Sequence, residues 1–487
     1  MSELQAPILT ICIALPLAAA VVAVRTKADL YARNISAGAM ALTLLLLLEV
    51  LREVSAAGGR MLAEPRILRM FDGGGAWLMA DGLNAVPMAL FAAVTLVTLI
   101  AAPRRDINRR FLISLLTLTS ATLAAYAASN LLVFLVGWIV AVLPALLRPA
   151  AERGRRFAGL VLVASAISLV AAVILIGLAG IKAGVAAPLS INISGVTNSA
   201  GGAWAFVFLV LAAILRERIF PFHRATVALF ESNSLLLPAL LVNSHLGIFL
   251  IARVAMPFFP GIAADALPWL GGLALLTALY TAVLGLAERE PRRVLAMLIT
   301  SQSSAILAGL ATASHEGIGG ALLQWIVLVV SSTVLIAVIR SLEVRVDGAF
   351  DGYGFMGLAS SMPRLAVFFA ISGLTIVGLP GTLGFPGEDL LLHGVLAGYP
   401  GWGAALPVAI ALNAYHAFRL FARLFLGKDG LTQNTARDAL PRERWALSAC
   451  LVFLVLGGLT PQNVVSIQAP ATNSLVRNAE SSPVPQP

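Results

Sequence analysis

Long apolar runs separated by short polar segments dominate this chain. A helix that crosses a bilayer needs about 20 mainly apolar residues, and runs of that length recur throughout the sequence. The pattern predicts an all-α polytopic membrane protein with 14 transmembrane helices, at residues 6–24, 35–54, 83–102, 111–128, 130–147, 158–180, 203–216, 235–256, 268–287, 294–313, 318–340, 364–384, 402–426 and 445–461.

The positive charges of the connecting loops alternate with the predicted spans. Loops after odd-numbered spans carry Arg25, Lys27, Arg33, Arg104, Arg105, Arg109, Arg110, Arg148, Arg153, Arg155, Arg156, Arg289, Arg292, Arg293, Arg340, Arg345, Lys428, Arg437, Arg442 and Arg444. The exceptions in even-numbered loops are Arg60, Arg66, Arg69 and Lys182. Because cytoplasmic loops are enriched in Lys and Arg, we predict a bacterial inner-membrane protein with both termini outside the cytoplasm.

Composition supports the membrane class and excludes several functions. Hydrophobic residues make up 59% of the 487 residues and charged residues only 12%, whereas soluble domains carry about 25% charged residues. The net charge of +9 lies in the short loops, so nucleic-acid binding is not expected. Cys12 and Cys450 both lie in apolar runs. No metal-ligand or nucleotide-binding motif occurs, so we expect no cofactor and no metal.

Two apolar segments are interrupted by helix-breaking residues. In the first, the charged residues 216–218 follow an apolar run, and Pro221 comes soon after them. In the second, residues 378–389 contain two prolines and four glycines and end on Glu388 and Asp389. Irregular backbone at membrane depth must be buried in protein or line a cavity. A pair of such breaks in two halves of a protein indicates a transport site.

The two breaks also suggest an internal repeat. Each falls in the fourth helix of a five-helix group, spans 4–8 and spans 9–13, and an odd number of helices inverts the second group relative to the first. We predict four regions: residues 1–110 (helices 1–3), residues 111–256 (first repeat), residues 268–426 (second repeat) and residues 427–487 (the last helix and a disordered polar tail).

Short motifs around the breaks resemble segments of a known family. In chain order they are Asp81-Gly82-Leu83-Asn84, residues 130–138, Pro221-Phe222-His223-Arg224, residues 293–296 with Ser301-Gln302, and residues 379–382 with Gly387-Glu388. Over about residues 80–430 the chain is similar to the antiporter-like membrane subunits of respiratory complex I. It is also similar to the large subunits of Mrp cation/proton antiporters and of Dab-type inorganic-carbon uptake complexes.

The resemblance implies positions for an ion relay. In the family, a buried Lys of span 7 lies five residues before the proline of the break, and this position is Arg216. A Lys of span 8 lies eight residues before an Arg, and counting back from Arg253 gives His245. The carboxylate of the broken span 12 matches Glu388. We expect these side chains to form a buried charged relay.

The chain departs from the family in the first repeat. The essential Glu of span 5 is replaced by Ile139, and span 11 lacks the usual His or Lys. A guanidinium stays protonated in proteins, so Arg216 is expected to act as a fixed charge and not as a proton carrier. Glu217 and Glu231 are the candidate carboxylate partners that could replace the missing one.

Further histidines could extend the path from Glu388. His393 follows it by five residues, and His416 lies with Arg419 in span 13. The alternative interpretation, which also applies to His245, is that these side chains make structural hydrogen bonds inside the bundle.

Three functional hypotheses follow. The first is a proton- or cation-translocating subunit of a complex I/Mrp-like hetero-oligomer, without a redox centre of its own. The second is the energy-coupling subunit of an inorganic-carbon uptake complex, whose partner would be a soluble zinc protein resembling a carbonic anhydrase. The third is a structural membrane subunit that conducts nothing, which the loss of the carboxylate at Ile139 would explain.

Overall fold

The computed structural model describes residues 2–4, 7–26, 29–64, 76–147, 153–185, 187–191, 200–232, 234–346, 354–427 and 437–480. Within these ranges the chain is mainly helical, and nine helices are long and apolar enough to cross a membrane. The predicted class of polytopic helical membrane protein is therefore confirmed.

The helices, in chain order, are α1 (Ile8–Arg25), α2 (Asp29–Ala56), α3 (Ala85–Ala101), α4 (Arg109–Ala127), α5 (Leu131–Leu146), α6 (Arg153–Lys182), α7 (Ala200–Glu217), α8 (Arg224–Phe230), α9 (Leu236–Asn243), α10 (Leu246–Leu250), α11 (Met256–Phe258), α12 (Pro260–Ala287), α13 (Pro291–Ala311), α14 (His315–Arg345), α15 (Pro363–Thr375), α16 (Gly384–Gly398), α17 (Ala405–Phe425), α18 (Pro441–Leu459) and α19 (Pro461–Glu480). A π-helical turn, Ile251–Ala255, joins α10 to α11, and a 3₁₀ turn, Trp402–Ala404, precedes α17.

Helices occupy every predicted span, but several predicted spans are divided. Span 7 is α7 followed by the short α8, span 8 is broken between α9 and α10, and span 12 is α15 followed by α16. Helices α3, α5 and α15 are apolar but short. The count of 14 spans and the inverted repeats stay predictions.

The C-terminal region differs from its predicted form. Residues after about 465 were expected to form a disordered polar tail, and for residues up to 480 this expectation is wrong, because Pro461–Glu480 is helix α19. This helix bends by 86° from α18 and packs against α14. The amide of Gln468 on α19 donates to the carbonyl of Leu322 on α14, and the side chain of Leu475 on α19 is buried. The helix is stable because it buries one face against α14, and the rest of the tail, 481–487, lies outside the described residues.

A small three-stranded sheet ties the N-terminus to the segment after α2. Strand β2 (Leu62–Ala63) pairs in parallel with β1 (Ser2–Glu3) and antiparallel with β3 (Met79–Ala80). Directly after β2, the carboxylate of Glu64 accepts hydrogen bonds from the backbone N–H of Thr10 at 2.9 Å and from its hydroxyl at 2.8 Å. Burial raises the pKa of the Glu64 carboxyl despite these bonds.

The raised pKa of Glu64 gives a pH-dependent prediction. Because the folded protein holds the proton of Glu64 more tightly than the unfolded chain, this group contributes stability at low pH that is lost as the pH rises above the ordinary value of about 4.3. We expect Glu64→Gln, which keeps an oxygen acceptor for Thr10, to be more heat-stable than the wild type at pH 7 and equal to it at pH 4. Thermal unfolding in detergent would measure this; a difference that does not vary with pH would contradict it.

Two helices at the centre of the bundle have no side that faces lipid. Helices α13 and α14 are buried along their whole hydrophobic lengths. The backbones of α14 and α16 touch, because a Cβ on Gly320 would lie 2.2 Å from the backbone nitrogen of Leu391, and one on Gly394 2.2 Å from that of Gly317. Such small-residue contacts let membrane helices approach closely, and here they hold α16, with Glu388 in its first turns, against the central helices.

Candidate functional site

The first break follows α7 at the predicted place. Helix α7 ends at Glu217, and Arg218 adopts a left-handed backbone conformation with φ of 58°. The chain then turns past Pro221 before α8 begins at Arg224. Arg216, Glu217 and Arg218 are each 1–2% exposed, so the break places three consecutive charged side chains inside the bundle.

Glu217 is the central residue of a buried hydrogen-bonded cluster, and its carboxylate contacts three other residues. Its carboxylate accepts from the backbone N–H of Gly247 at 2.9 Å and from the hydroxyl of Ser303 at 3.1 Å. The same carboxylate lies 3.2 Å from Nδ1 of His245, which is in turn 3.3 Å from the Ser303 hydroxyl oxygen. The cluster therefore joins α7, the break before α10 and the central helix α13.

The local backbone positions His245 for this contact. His245 has a left-handed φ of 39° and separates α9 from α10, so the first N–H groups of α10 have no helical acceptor. Glu217 accepts from one of them, at Gly247. A side chain at that position is excluded, because a Cβ would lie 2.7 Å from Cγ of Glu217. The Glu217 carboxylate thus caps the N-terminus of α10 and also contacts the imidazole of His245.

Arg216 makes a different kind of contact from its neighbour Glu217. The carbon of its guanidinium lies 5.0 Å from the ring centroid of Trp138, a cation–π arrangement that stabilises a buried cation. Within the described residues, neither terminal nitrogen of Arg216 has a hydrogen-bond partner. Ile139, the residue after Trp138, is half-buried and offers no charge. Arg216 is therefore not paired with a carboxylate.

A polar stretch of α13 continues from this cluster. Residues 300–304 of this helix, Thr-Ser-Gln-Ser-Ser, are all buried. Ser303 contacts the Glu217 cluster. The preceding residue, Gln302, donates to the carbonyl of Ile376 at 3.2 Å and accepts from the amide of Gln324 at 3.4 Å. Adjacent residues of one buried helix thus reach towards both breaks.

The second break lies between α15 and α16. The carbonyl of Ile376, just past the end of α15, accepts from both Gln302 and Gln324. The side-chain oxygen of Gln324 lies beside Gly387, where a Cβ would be 3.1 Å away. The next residue, Glu388, is 9% exposed. The second break thus brings together Gln302, Gln324 and the backbone of Gly387, with Glu388 next along α16. Together with the Glu217 cluster, these buried groups make up the polar row.

Glu388 occupies a pocket shaped by the backbone. Gly378 has φ of 78°, and a Cβ there would lie 1.9 Å from a carboxylate oxygen of Glu388. The other oxygen is buried and has no hydrogen-bond partner among the described residues. A carboxyl group with an unused oxygen at a helix break can exchange protons with water that reaches the break.

Glu231 lies away from the Arg216 region that the sequence suggested for it. Its carboxylate is 2.5 Å from Nε of Arg293, which also contacts Glu288 and Glu290. These side chains are about one-third exposed and lie at the start of α13. Glu231 therefore belongs to a surface ion-pair cluster, and of the two candidate carboxylates only Glu217 is in the buried cluster.

His393 and His416, which were predicted to extend the path from Glu388, also lie outside the polar row. The His393 side chain is 68% exposed, and its Nδ1 contacts the backbone oxygen of Asp389 at 2.8 Å. His416 is fully buried, but its Nε2 lies 2.6 Å from the carbonyl of Ala282. Nearby, Arg419 donates to the carbonyls at the end of α12. His416 and Arg419 thus hold α17 to the end of α12.

The structure adds residues that sequence reasoning did not assign to the site. Ser303 belongs to the cluster at the first break, and Gln324 donates to Ile376 at the second. Asn243, two residues before His245, exchanges hydrogen bonds with Ser332 and Thr333 of α14. The run of five polar residues at 300–304 inside an apolar segment was the available signal. The described residues contain no group of three or more His, Cys, Asp or Glu side chains that could hold a metal ion.

Comparison with known protein families decides the assignment. The profile described as "NADH:quinone oxidoreductase/Mrp antiporter, TM" matches residues 128–412, which include both breaks and the polar stretch of α13. The chain belongs to this family. The resemblance found in the sequence is therefore confirmed, and the chain is an antiporter-like membrane protein of the complex I/Mrp type.

Individual members of the family are similar over different lengths. NADH-quinone oxidoreductase subunit 13 of Thermus thermophilus is 29% identical over 386 residues, 78% of this chain and 81% of the relative. Subunit M of Rickettsia typhi is 26% identical over 270 residues, 54% of this chain and 53% of the relative. The matches thus span about half the length of the rickettsial relatives and most of the Thermus subunit.

Solved structures extend the similarity to the whole antiporter-like fold. A chain of respiratory complex I from Thermus thermophilus, solved with bound NADH, superposes with a TM-score of 0.85 at 25% identity, covering 97% of this chain and 99% of that one. A chain of the Mrp complex from Dietzia sp. DQ12-45-1b has a TM-score of 0.81 at 17% identity, covering 96% and 97%. The second comparison establishes a shared fold only.

Proposed function

We propose that this protein is a proton- or cation-translocating membrane subunit of a complex I/Mrp-like hetero-oligomer. The observation that carries the proposal is the presence of buried polar groups at both helix breaks: Glu217, His245 and Ser303 at the first, and Gln302, Gln324 and Glu388 at the second. Ionisable residues inside a membrane bundle are costly and mark ion or proton paths. The 14 spans and two inverted five-helix repeats are part of this proposal.

Each group in the row has a distinct role in the proposed mechanism. Glu217 and His245 share a short contact, so a proton can pass between carboxylate and imidazole without leaving the cluster. Ser303 and the two glutamines cannot hold a net charge, but they can order water and hydrogen bonds along α13. Arg216 stays protonated and supplies a fixed positive charge next to Glu217 in the chain.

The loss of the family's carboxylate at Ile139 fits this arrangement. In place of a Lys–Glu pair between two helices, this chain has Arg216 against Trp138 and a separate Glu217–His245 pair one residue further on. In the family, the proposed proton-exchanging pair lies on spans 5 and 7. In this chain we place it on Glu217 at the end of α7 and His245 at the break before α10. Energy for transport would come from partner subunits or from an existing ion gradient.

The proposal is tested at Glu388. In the purified complex reconstituted into vesicles, we expect Glu388→Gln to lower proton flux about tenfold, because an amide cannot take up and release a proton. Flux would be followed with a pH-sensitive dye inside the vesicles.

The adjacent residue provides a matched control. Asp389 is more than half exposed, so Asp389→Asn removes the same charge and should leave the flux unchanged. Unaltered flux in Glu388→Gln would contradict the proposal and favour a structural subunit that conducts nothing. Co-purification of a soluble zinc protein in place of respiratory or Mrp subunits would favour an inorganic-carbon uptake complex instead.

A further inference from the structure

An open apolar cleft lies on the outside of the bundle, separate from the buried polar row. It has a volume of about 620 Å³ and is bounded by α2, α3, α18 and α19, with Ile326 and Val330 of α14 on its floor. Val86 and Ile100, near opposite ends of α3, both line it, so it runs roughly 21 Å along that helix at 1.5 Å per residue. None of the relay residues contributes to its walls.

One end of this cleft carries an excess of positive charge. Arg442, at the start of α18, faces into the cleft, and its Nε has no hydrogen-bond partner in the described part of the chain. Arg33, Arg104 and Arg345 lie within electrostatic range of Arg442, and among the described residues Glu443 is the acidic group that acts on it.

That single carboxylate does not neutralise the cluster. Glu443 is engaged at 2.6 Å by Arg345. No ion pair holds Arg33, Arg104 or Arg442 within the residues that the structure describes. The mouth of the cleft thus has Arg442 with Arg33 and Arg104 near it, and no carboxylate of the described residues forms an ion pair with any of the three.

The position of the mouth matches a membrane–water interface. Trp445, one turn after Arg442, is 75% exposed and lines the cleft, and tryptophan is enriched at the level of lipid headgroups. The arginines all belong to loops that the positive-inside rule assigns to the cytoplasmic side. The apolar walls begin directly beyond them, at Ala446 and Ala449 of α18.

We propose that this cleft is a binding site for one anionic phospholipid of the cytoplasmic leaflet. Its phosphate would bind at Arg442, Arg33 and Arg104, and an acyl chain would lie between α3 and α18. Guanidinium groups bind phosphate through paired hydrogen bonds, and basic pockets between transmembrane helices bind acidic headgroups.

The dimensions of the cleft agree with this occupant. One leaflet contributes about 15 Å of hydrocarbon, which is shorter than the cleft, so a whole acyl chain fits below the headgroup. A transmembrane helix of a partner subunit would also fill apolar space, but it would leave three arginines uncompensated unless it carried acidic residues at that depth. The charge of the mouth therefore favours the lipid.

The experiment measures lipid retained by the full chain in its purified complex. The complex would be incubated with vesicles of phosphatidylcholine containing phosphatidylglycerol, re-extracted, and its bound lipids counted by native mass spectrometry. We expect one retained phosphatidylglycerol and no retained phosphatidylcholine. Arg33→Gln combined with Arg442→Gln should reduce the retention of phosphatidylglycerol at least about tenfold, because each basic residue at the headgroup contributes to binding.

Two further variants separate the cleft from overall charge and from misfolding. Arg109→Gln combined with Arg289→Gln removes the same charge from exposed positions outside the cleft, one at the start of α4 and one in a loop, and should retain the lipid. Ala449→Trp fills the cleft without altering its charge and should lose the lipid. Equal retention of both lipids, or retention unaffected by the Arg442 and Ala449 changes, would overturn the proposal. A photo-crosslinker at 449 that captures a protein subunit and no lipid would overturn it as well.

Discussion

Glu217→Gln is expected to reduce ion flux on the order of 100-fold, the scale of losing a positioned acid–base group. Glutamine keeps one oxygen for the N–H of Gly247 and preserves the shape of the side chain, so the helix ends should stay in place. What is lost is the carboxylate that contacts His245 and, in the proposed mechanism, exchanges a proton with it. Flux in vesicles containing the reconstituted complex would measure the effect.

A second substitution tests whether the two groups act as one unit. If Glu217 and His245 form a single proton-sharing pair, the double variant Glu217→Gln/His245→Gln should be no slower than either single variant, because effects within a unit are not additive. Glu316→Gln, on an exposed side chain at the start of α14, is the control for loss of a carboxylate. Additive losses, or normal flux in Glu217→Gln, would show that the buried pair does not carry the ion.

The contact between α14 and α16 gives the largest expected effect on stability. In Gly320→Ala the new Cβ would meet the backbone of Leu390 and Leu391 at 2.2 to 2.7 Å, and no side-chain rotation can relieve a clash with backbone. The helices must separate, at a cost of about 3 kcal/mol, the upper end of the usual range for overpacking. We expect a lower unfolding temperature in detergent and a loss of flux, since α16 carries Glu388.

The neighbouring glycine supplies the control. A Cβ on Gly319 would meet its nearest atom, on Thr472, at 4.0 Å, which is ordinary van der Waals contact. Gly319→Ala should therefore fold and transport like the wild type, although it adds the same methyl group to the same helix. If both variants behaved alike, the close approach of α14 and α16 would not be what positions Glu388.

The breaks could be predicted from sequence because their causes are local. Proline at 221, and the run of prolines and glycines from 378, disfavour a continuous helix through local backbone effects, and the structure has its breaks at these two places. The predicted disorder after 465 was wrong for a different reason. Helix α19 owes its order to a partner surface on α14, and a polar composition alone does not reveal such a partner.

The connections within the site depend on tertiary packing, which the sequence did not reveal. Glu217 and Glu231 looked equivalent as neighbours of Arg216, yet one turns inward to His245 and the other pairs with Arg293. The decisive geometry is the left-handed backbone of His245, a conformation that histidine adopts only in particular settings. Ser303 enters the cluster because α13 runs between the two breaks, and this cannot be read from α13 alone.

The burial of α13 has a consequence for how the protein is made. Two of its five consecutive polar residues have partners on chain that is synthesised later. Gln302 contacts Gln324 on α14 and the carbonyl of Ile376 beyond α15, and Ser301 accepts from Asn413 on α17 at 2.8 Å. The amide of Gln302 therefore lacks its final partners while those segments are still being synthesised, and an amide without hydrogen bonds in an apolar medium is costly. Until then, water or the insertion machinery must supply its hydrogen bonds.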